Sequence, residues 1–293
     1  MRYELWDVFT GEPFAGNPQA VVPDARGLTD AQMQQVANEF NLSETSFVLP
    51  SEPTEKSAGV RARYFTPAQE LPMVGHPSVG TVFALDKAGV FAGRDKVTLE
   101  LNIGPIEMTL ERDGETLKRV WMNQGVPELL ETLGKAEVAR ALGLEERDLE
   151  PDLPVQNGSA GNPFLLVPVV SLDALARVQV SLPEISKLLH GAHRAVFAFT
   201  RNATASDVRA RMFSATYRLD EDPATGSAHG PLGAYLAVHT DMLEGDSAEF
   251  VSHQGVEMGR KSELFVRLER VASGVKVSVG GAAVQVGAGE LFL

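Results

Sequence analysis

The sequence predicts an α+β chain of two similar lobes, each mixing short strands with helices and each holding one helix inside a curved sheet. Three observations predict it. Gly16-Asn17-Pro18 precedes the apolar run Ala20-Val21-Val22, and Gly161-Asn162-Pro163 precedes Phe164-Leu165-Leu166-Val167, an offset of 145 residues. Gly75-His76-Pro77-Ser78-Val79-Gly80 and Gly226-Ser227-Ala228-His229-Gly230-Pro231 each open an apolar stretch, an offset of 151. Finally, 293 residues that are 44% apolar and 22% charged suffice for two cores of roughly 150 residues each.

Along the chain, residues 3–9, 19–22, 45–49, 60–65 and 97–101 read as strands from their alternation or β-rich composition. Thr29 or Asp30 can cap a helix whose apolar positions Met33, Val36, Ala37 and Phe40 fall at i, i+3, i+4 and i+7; Asn41 ends it. Residues 77–88 are apolar around most of the helical circumference, as expected of a helix enclosed by a sheet, with Gly89 as its cap. Strands at 106–110 and 119–122 follow, and 127–142 reads as a helix that opens the second lobe. Strands are expected at 163–170, 195–200 and 207–212, with short helices at 171–178 and 183–190. Residues 231–238 repeat the all-round apolar helix, and 264–268, 274–279 and 283–286 are three closing strands. The lobes are expected to be 1–116 and 117–282, with a last strand near 283–293 returning to the first lobe.

A net charge of −13 with scattered basic residues argues against nucleic acid and anionic membrane as partners. The N-terminal residues carry no leader or span of about 20 apolar residues, so a cytoplasmic protein is expected. The absence of cysteine removes disulfides, thiolate nucleophiles and zinc-thiolate sites together. His76, His190, His193, His229, His239 and His253 show no metal-ligand spacing with carboxylates, so no metal site is expected.

A glycine turn before a buried helix leaves the first N–H groups of that helix pointing outward, a site suited to a carboxylate. The first such start carries Gly75, His76 and Ser78; the second carries Glu221, Asp222, Thr225, Gly226 and Ser227. Each has a plainer reading. Asp222 before Pro223 is a natural turn or cap residue, His76 a cap or packed polar residue, and Glu44 a solvated loop acid.

At these residues the chain resembles the PhzF-like phenazine biosynthesis family. The motifs are Glu12-Pro13-Phe14-Ala15-Gly16-Asn17-Pro18, Asn41-Leu42-Ser43-Glu44-Thr45, Gly75-His76-Pro77, the run from Glu221 to Pro231, and the run from Gln254 to Arg260. The resemblance implies a fold of the diaminopimelate epimerase type: two pseudo-symmetric lobes, each a curved, mostly antiparallel sheet around a central helix, with the active site in the cleft. It also implies a cofactor-independent isomerase acting on a small carboxylate-bearing substrate, and a homodimer. In the family's best understood member a glutamate of the Ser-Glu-Thr motif shuttles a proton as a dihydro-hydroxyanthranilate is isomerised, and Glu44 holds that place here. His76, Asp222 and Ser227 match the other catalytic positions, and Gly75, Ser78, Thr225, Gly226, Gly230 and Arg260 the substrate-binding frame; Arg260 has the alternative of simply pinning its lobe.

Related epimerases and racemases work with two cysteines, and the equivalent places here are Val74 and Thr225. Valine is neither acid nor base, so one-sided proton transfer by Glu44 ranks above epimerisation. Such a shuttle works best if a water-poor cleft brings its carboxyl pKa toward the working pH. An epimerase with a base pair such as Glu44 and Asp222, and a non-catalytic binding protein, are the alternatives.

Overall fold

The computed structural model describes residues 1–50, 59–72, 75–188, 195–214 and 219–292. Val74, His190 and His193, and with them the end of the expected helix at 183–190, lie outside the described residues. By their contacts the residues form two compact units, Met1–Asn123 with Gly280–Leu293, and Gln124–Val279.

In the first unit β1 (Arg2–Val8) pairs antiparallel with β2 (Asn17–Val22) and with the C-terminal strand Ala283–Glu290. β2 runs parallel to β3 (Glu44–Pro50), and α1 (Asp30–Phe40) makes the crossover that a parallel pair requires. Thr29 caps α1 in a capping box with Gln32, and Asn41 closes it in the left-handed region at φ 49°. The expected face, Met33, Val36 and Ala37, packs on Val22, Phe47 and Phe65. β4 (Val60–Phe65) is antiparallel to β3 and to the short β5 (Glu70–Leu71); across α2 (Gly75–Lys87) it meets β6 (Lys96–Leu101) in parallel. β6, β7 (Gly104–Asp113) and β8 (Thr116–Asn123) form an antiparallel meander.

Every residue of α2 from Gly75 to Leu85 is buried, because β1, β2, β3 and β8 all lie against it. That is the enclosed helix its apolar circumference predicts. The expected lobe division after residue 116 falls inside β8, whose pairing with β7 runs from Thr116 to Met122; the contacts change units at Asn123.

The second unit opens with β9 (Glu128–Leu133) and α3 (Lys135–Ala141). The helix expected over 127–142 is thus a strand followed by a two-turn helix. Glu and Leu favour helices, but β9 pairs with β10 (Val155–Ser159), and that pairing overrides local propensity. β10 is antiparallel to β11 (Pro163–Pro168). β11 is parallel to β12 (Ala195–Thr200) across α4 (Leu172–Ala176) and α5 (Leu182–Leu188). β13 (Val208–Ser214) is antiparallel to β12 and to β14 (Leu219–Asp222). Across α6 (Gly226–His239), β13 meets β15 (Ser247–Gln254) in parallel, and β15 pairs antiparallel with β16 (Ser262–Val271). β17 (Gly274–Gly281) precedes β18 (Ala283–Glu290), the strand already met beside β1.

Element for element, β10 to β16 repeat the pairings of β1 to β7. The architecture is sheet-dominated α+β, as the sequence predicts. α6 begins five residues before the expected 231–238, with Pro231 inside it. Among the described residues no helix is long and apolar enough to cross a membrane.

Candidate active site

In the first unit the left-handed cap at Asn41 turns the chain directly into β3, whose first residue is Glu44. Side chains alternate along a strand, so Glu44 and Ser46 face one side and Thr45 and Phe47 the other. Phe47 packs with α1, which puts Glu44 on the α2 side. Gln19, directly opposite Glu44 in the parallel register, confirms this. Its Nε2 donates to Ser46 Oγ (2.5 Å), to Pro77 O (3.0 Å) and to Thr81 Oγ1 (3.4 Å), tying β2 and β3 to the first two turns of α2.

His76, the second residue of α2, brings Nε2 to 3.2 Å from Glu44 Oε2, with the two side chains 7% and 8% exposed. The atoms face one another without hydrogen-bond alignment. Burial alone pushes the His76 imidazole down to about 3, so the ring is neutral near neutral pH. The contact is therefore between a carboxyl group and an uncharged imidazole, both removed from water. Asn17 Nδ2 lies 3.3 Å from His76 Nδ1, and Ser43 Oγ donates to Asn17 Oδ1 at 3.3 Å. Ser78, expected to bind substrate, is fully buried and donates to Tyr64 OH at 2.9 Å, a tether between α2 and β4.

In the second unit β14 ends at Asp222 and Thr225 is the residue before α6. Thr225 makes no side-chain cap bond to the helix. Its hydroxyl donates to Asp222 Oδ2 at 2.5 Å and accepts from Gln254 Nε2 at 3.0 Å. Gln254 Nε2 also donates to Asp222 O (2.7 Å), while its Oε1 accepts from Thr225 N (3.0 Å). Its hydroxyl is thus engaged on both sides. Ser262 Oγ donates to Pro223 O (2.7 Å) and Arg260 O (3.3 Å), joining the turn of Arg260 to the Asp222 segment. Gly226 and Ser227 form the first turn of α6, Gly226 buried and Ser227 half-buried.

Gly230 sits where a Cβ would come within 3.1 Å of Ala160 Cβ and 3.2 Å of Gln124 Cβ, so its described surroundings are those of close packing around α6. Glu221 is held by Arg211, which donates to both carboxylate oxygens at 2.8 and 2.7 Å and to three backbone carbonyls, Leu175 O among them. A separate open cavity of about 780 Å3 lies beside His239 and Asp241, at the opposite end of α6 from Ser227.

The structure thus brings Glu44 to His76 in one unit and Asp222 to Thr225 in the other. Sequence reasoning singled out none of Asn17, Gln19 and Gln254, which hold these groups in place. Asn17 and Gln254 carried a signal, as part of the repeated Gly-Asn-Pro pattern and of the run from Gln254 to Arg260. Nothing in the spacing of Gln19 marks a buried polar side chain.

The family model for phenazine biosynthesis-like protein matches residues 6–289. The chain is 36% identical over 299 residues to trans-2,3-dihydro-3-hydroxyanthranilate isomerase of Pseudomonas fluorescens, covering 100% of this chain and 99% of that one. Among solved structures it is similar to a phenazine biosynthesis protein of the PhzF family from Bacillus anthracis, with a TM-score of 0.92 and 30% identity over 100% and 99% of the two chains. A probable proline racemase from Agrobacterium radiobacter shares the fold alone, at a TM-score of 0.64 and 15% identity over 100% and 93%. The chain is an isomerase and belongs to the PhzF-like phenazine biosynthesis family.

Proposed function

We propose that this isomerase moves a proton, and with it a double bond, within a small carboxylate-bearing substrate, using Glu44 as the acid/base group. The observation that carries the reading is the buried pairing of Glu44 with a neutral His76. A titratable carboxyl beside an uncharged ring in a water-poor setting is an arrangement for exchanging protons. The carboxylate takes a proton from one carbon as that C–H electron pair enters the π system, and the resulting carboxylic acid, whose proton can exchange with solvent, returns a proton to a second carbon as the π electrons close on it. The step is redox-neutral and leaves the enzyme as it began.

Asp222 and Ser227 hold the polar groups of the substrate, with Gly75, Gly226 and Arg260 as the surrounding frame. The start of α6, which has no side-chain cap, suits the substrate carboxylate. A cyclic amino acid of the dihydro-hydroxyanthranilate kind, named for the Pseudomonas relative, fits these demands. A cytoplasmic location and a homodimer belong to the same reading, and light scattering decides the second.

The test is incubation in deuterated water with cyclic and amino carboxylates, including trans-2,3-dihydro-3-hydroxyanthranilate, followed by mass spectrometry. Glu44→Gln keeps the shape and removes the acid; its exchange rate should fall by about 10²- to 10⁴-fold. Exchange that survives in Glu44→Gln refutes the assignment, and exchange accompanied by loss of optical activity points to epimerisation instead.

A further inference from the structure

We infer that Asn17 is a positioning residue for proton transfer: its side-chain amide, bonded at its other end by Ser43, fixes the His76 imidazole in the tautomer that carries its proton on Nε2, the ring nitrogen beside Glu44. The inference rests on the acid/base role proposed above for Glu44.

Asn17 is the first residue of β2 and is fully buried. Its Nδ2 lies 3.3 Å from His76 Nδ1. An amide nitrogen only donates, so Nδ1 is the acceptor there. A neutral imidazole carries one N–H, which then belongs to Nε2, the atom 3.2 Å from Glu44 Oε2. At its other end Asn17 Oδ1 accepts from Ser43 Oγ, the sense that leaves Nδ2 beside the ring. Ser43 immediately precedes Glu44, so the turn that delivers the carboxyl also bonds the amide.

His229 shows that the tautomer follows the partner. Its Nδ1 lies 2.9 Å from Thr225 O, a carbonyl that only accepts, and its Nε2 lies 2.8 Å from the Ser252 hydroxyl. That ring carries its proton on Nδ1, the reverse of His76. The consequence at Glu44 is direct. A proton on Nε2, 3.2 Å from Oε2, presents positive charge that favours the carboxylate which must collect a proton, whereas a nitrogen lone pair there would oppose it.

The first measurement uses the full chain labelled with ¹⁵N-histidine, without substrate. Long-range ¹H–¹⁵N correlation near pH 7.5 reports which ring nitrogen is protonated, and His76 is assigned by the signals lost in His76→Gln. The expected result is a bare Nδ1 and a protonated Nε2. In Asn17→Asp the new carboxylate accepts where the amide donated, so Nδ1 should gain a proton, and kcat for exchange should fall about tenfold or more while KM stays within about threefold. A native spectrum with protonated Nδ1 overturns the inference, as does a tautomer change in Asn17→Asp with unchanged kcat. An Nε2–H tautomer in a protein with no Glu44-dependent exchange on any substrate upholds the hydrogen-bond chain and overturns the catalytic reading on which its role depends.

Discussion

Acid should destabilise this protein well above the pH at which its carboxylates protonate, and two buried imidazoles set the size of the effect. His76 is pushed down to about 3 by burial, and His229 to about 4, chiefly by burial and against the Thr225 carbonyl, from an ordinary value of 6.5. A depressed histidine means that the folded chain binds fewer protons than the unfolded one. Its stability contribution is therefore complete above pH 6.5 and is lost as pH falls below it. At pH 5 each ring that stays neutral costs about 2 kcal/mol, at about 1.4 kcal/mol per pH unit, and the two together cost about 4 kcal/mol. His239, half-buried, and His253, buried, are also lowered and act in the same direction. The carboxylates lowered by arginine partners, Asp24, Asp30, Glu70, Asp148 and Asp241, lose their contribution mainly at lower pH, which leaves the upper window to the histidines. Urea unfolding at pH 7.5 and pH 5.0 measures the loss. His229→Gln, though less stable at the start, should lose about 2 kcal/mol less between the two conditions. Equal native stability at both values, or an equal loss in His229→Gln, refutes the argument.

Two further perturbations separate clamp from frame. Gln254→Ala removes the bonds to Asp222 O, Thr225 N and Thr225 Oγ1; it should cost about 2 to 4 kcal/mol in urea unfolding and raise KM in the exchange assay, and an unaltered KM would free the Asp222 segment from this clamp. Gly280→Ala places a Cβ 2.5 Å from the Trp121 ring at a glycine without a left-handed backbone, so the cost is steric, about 1 to 3 kcal/mol, read as a lowered Tm with the exchange rate per folded molecule retained.

The elements that the sequence made legible are those whose local chemistry and burial agree. Thr29, Gln32 and Asn41 bracket α1 at both ends, and the apolar circumference of 77–85 announces a helix with sheet on every side. Where local chemistry and pairing conflict, reading fails. Residues 128–133 are good helix formers drawn into a strand by β10, and Pro231, which reads as a helix start, lies within the second turn of α6. Ser252 and Gln254 sit at buried positions of β15, where an alternation search expects apolar residues. They are buried because α6 supplies partners, the His229 ring for Ser252 and the Thr225 amide for Gln254. Polar positioning residues are thus the hardest class to read, since only the fold reveals their partners.

The repeat also explains why the two helix starts differ in chemistry. At an offset of 151, Ser78 corresponds to His229, and both are buried polar residues that bond from helix to sheet, to Tyr64 OH and Ser252 Oγ. That position is a structural tether in both units. Two residues earlier the pair is His76 and Ser227, a titratable ring against a hydroxyl. Tethering constrains the one position and leaves the other open to specialise, and only the first unit pairs it with a buried carboxyl at 3.2 Å among the described residues. Proton transfer is therefore expected of the first unit and substrate holding of the second. The kinetics should divide accordingly: Glu44→Gln acts on kcat, and Ser227→Ala acts mainly on KM. A Ser227→Ala variant that loses kcat as steeply as Glu44→Gln would refute this division.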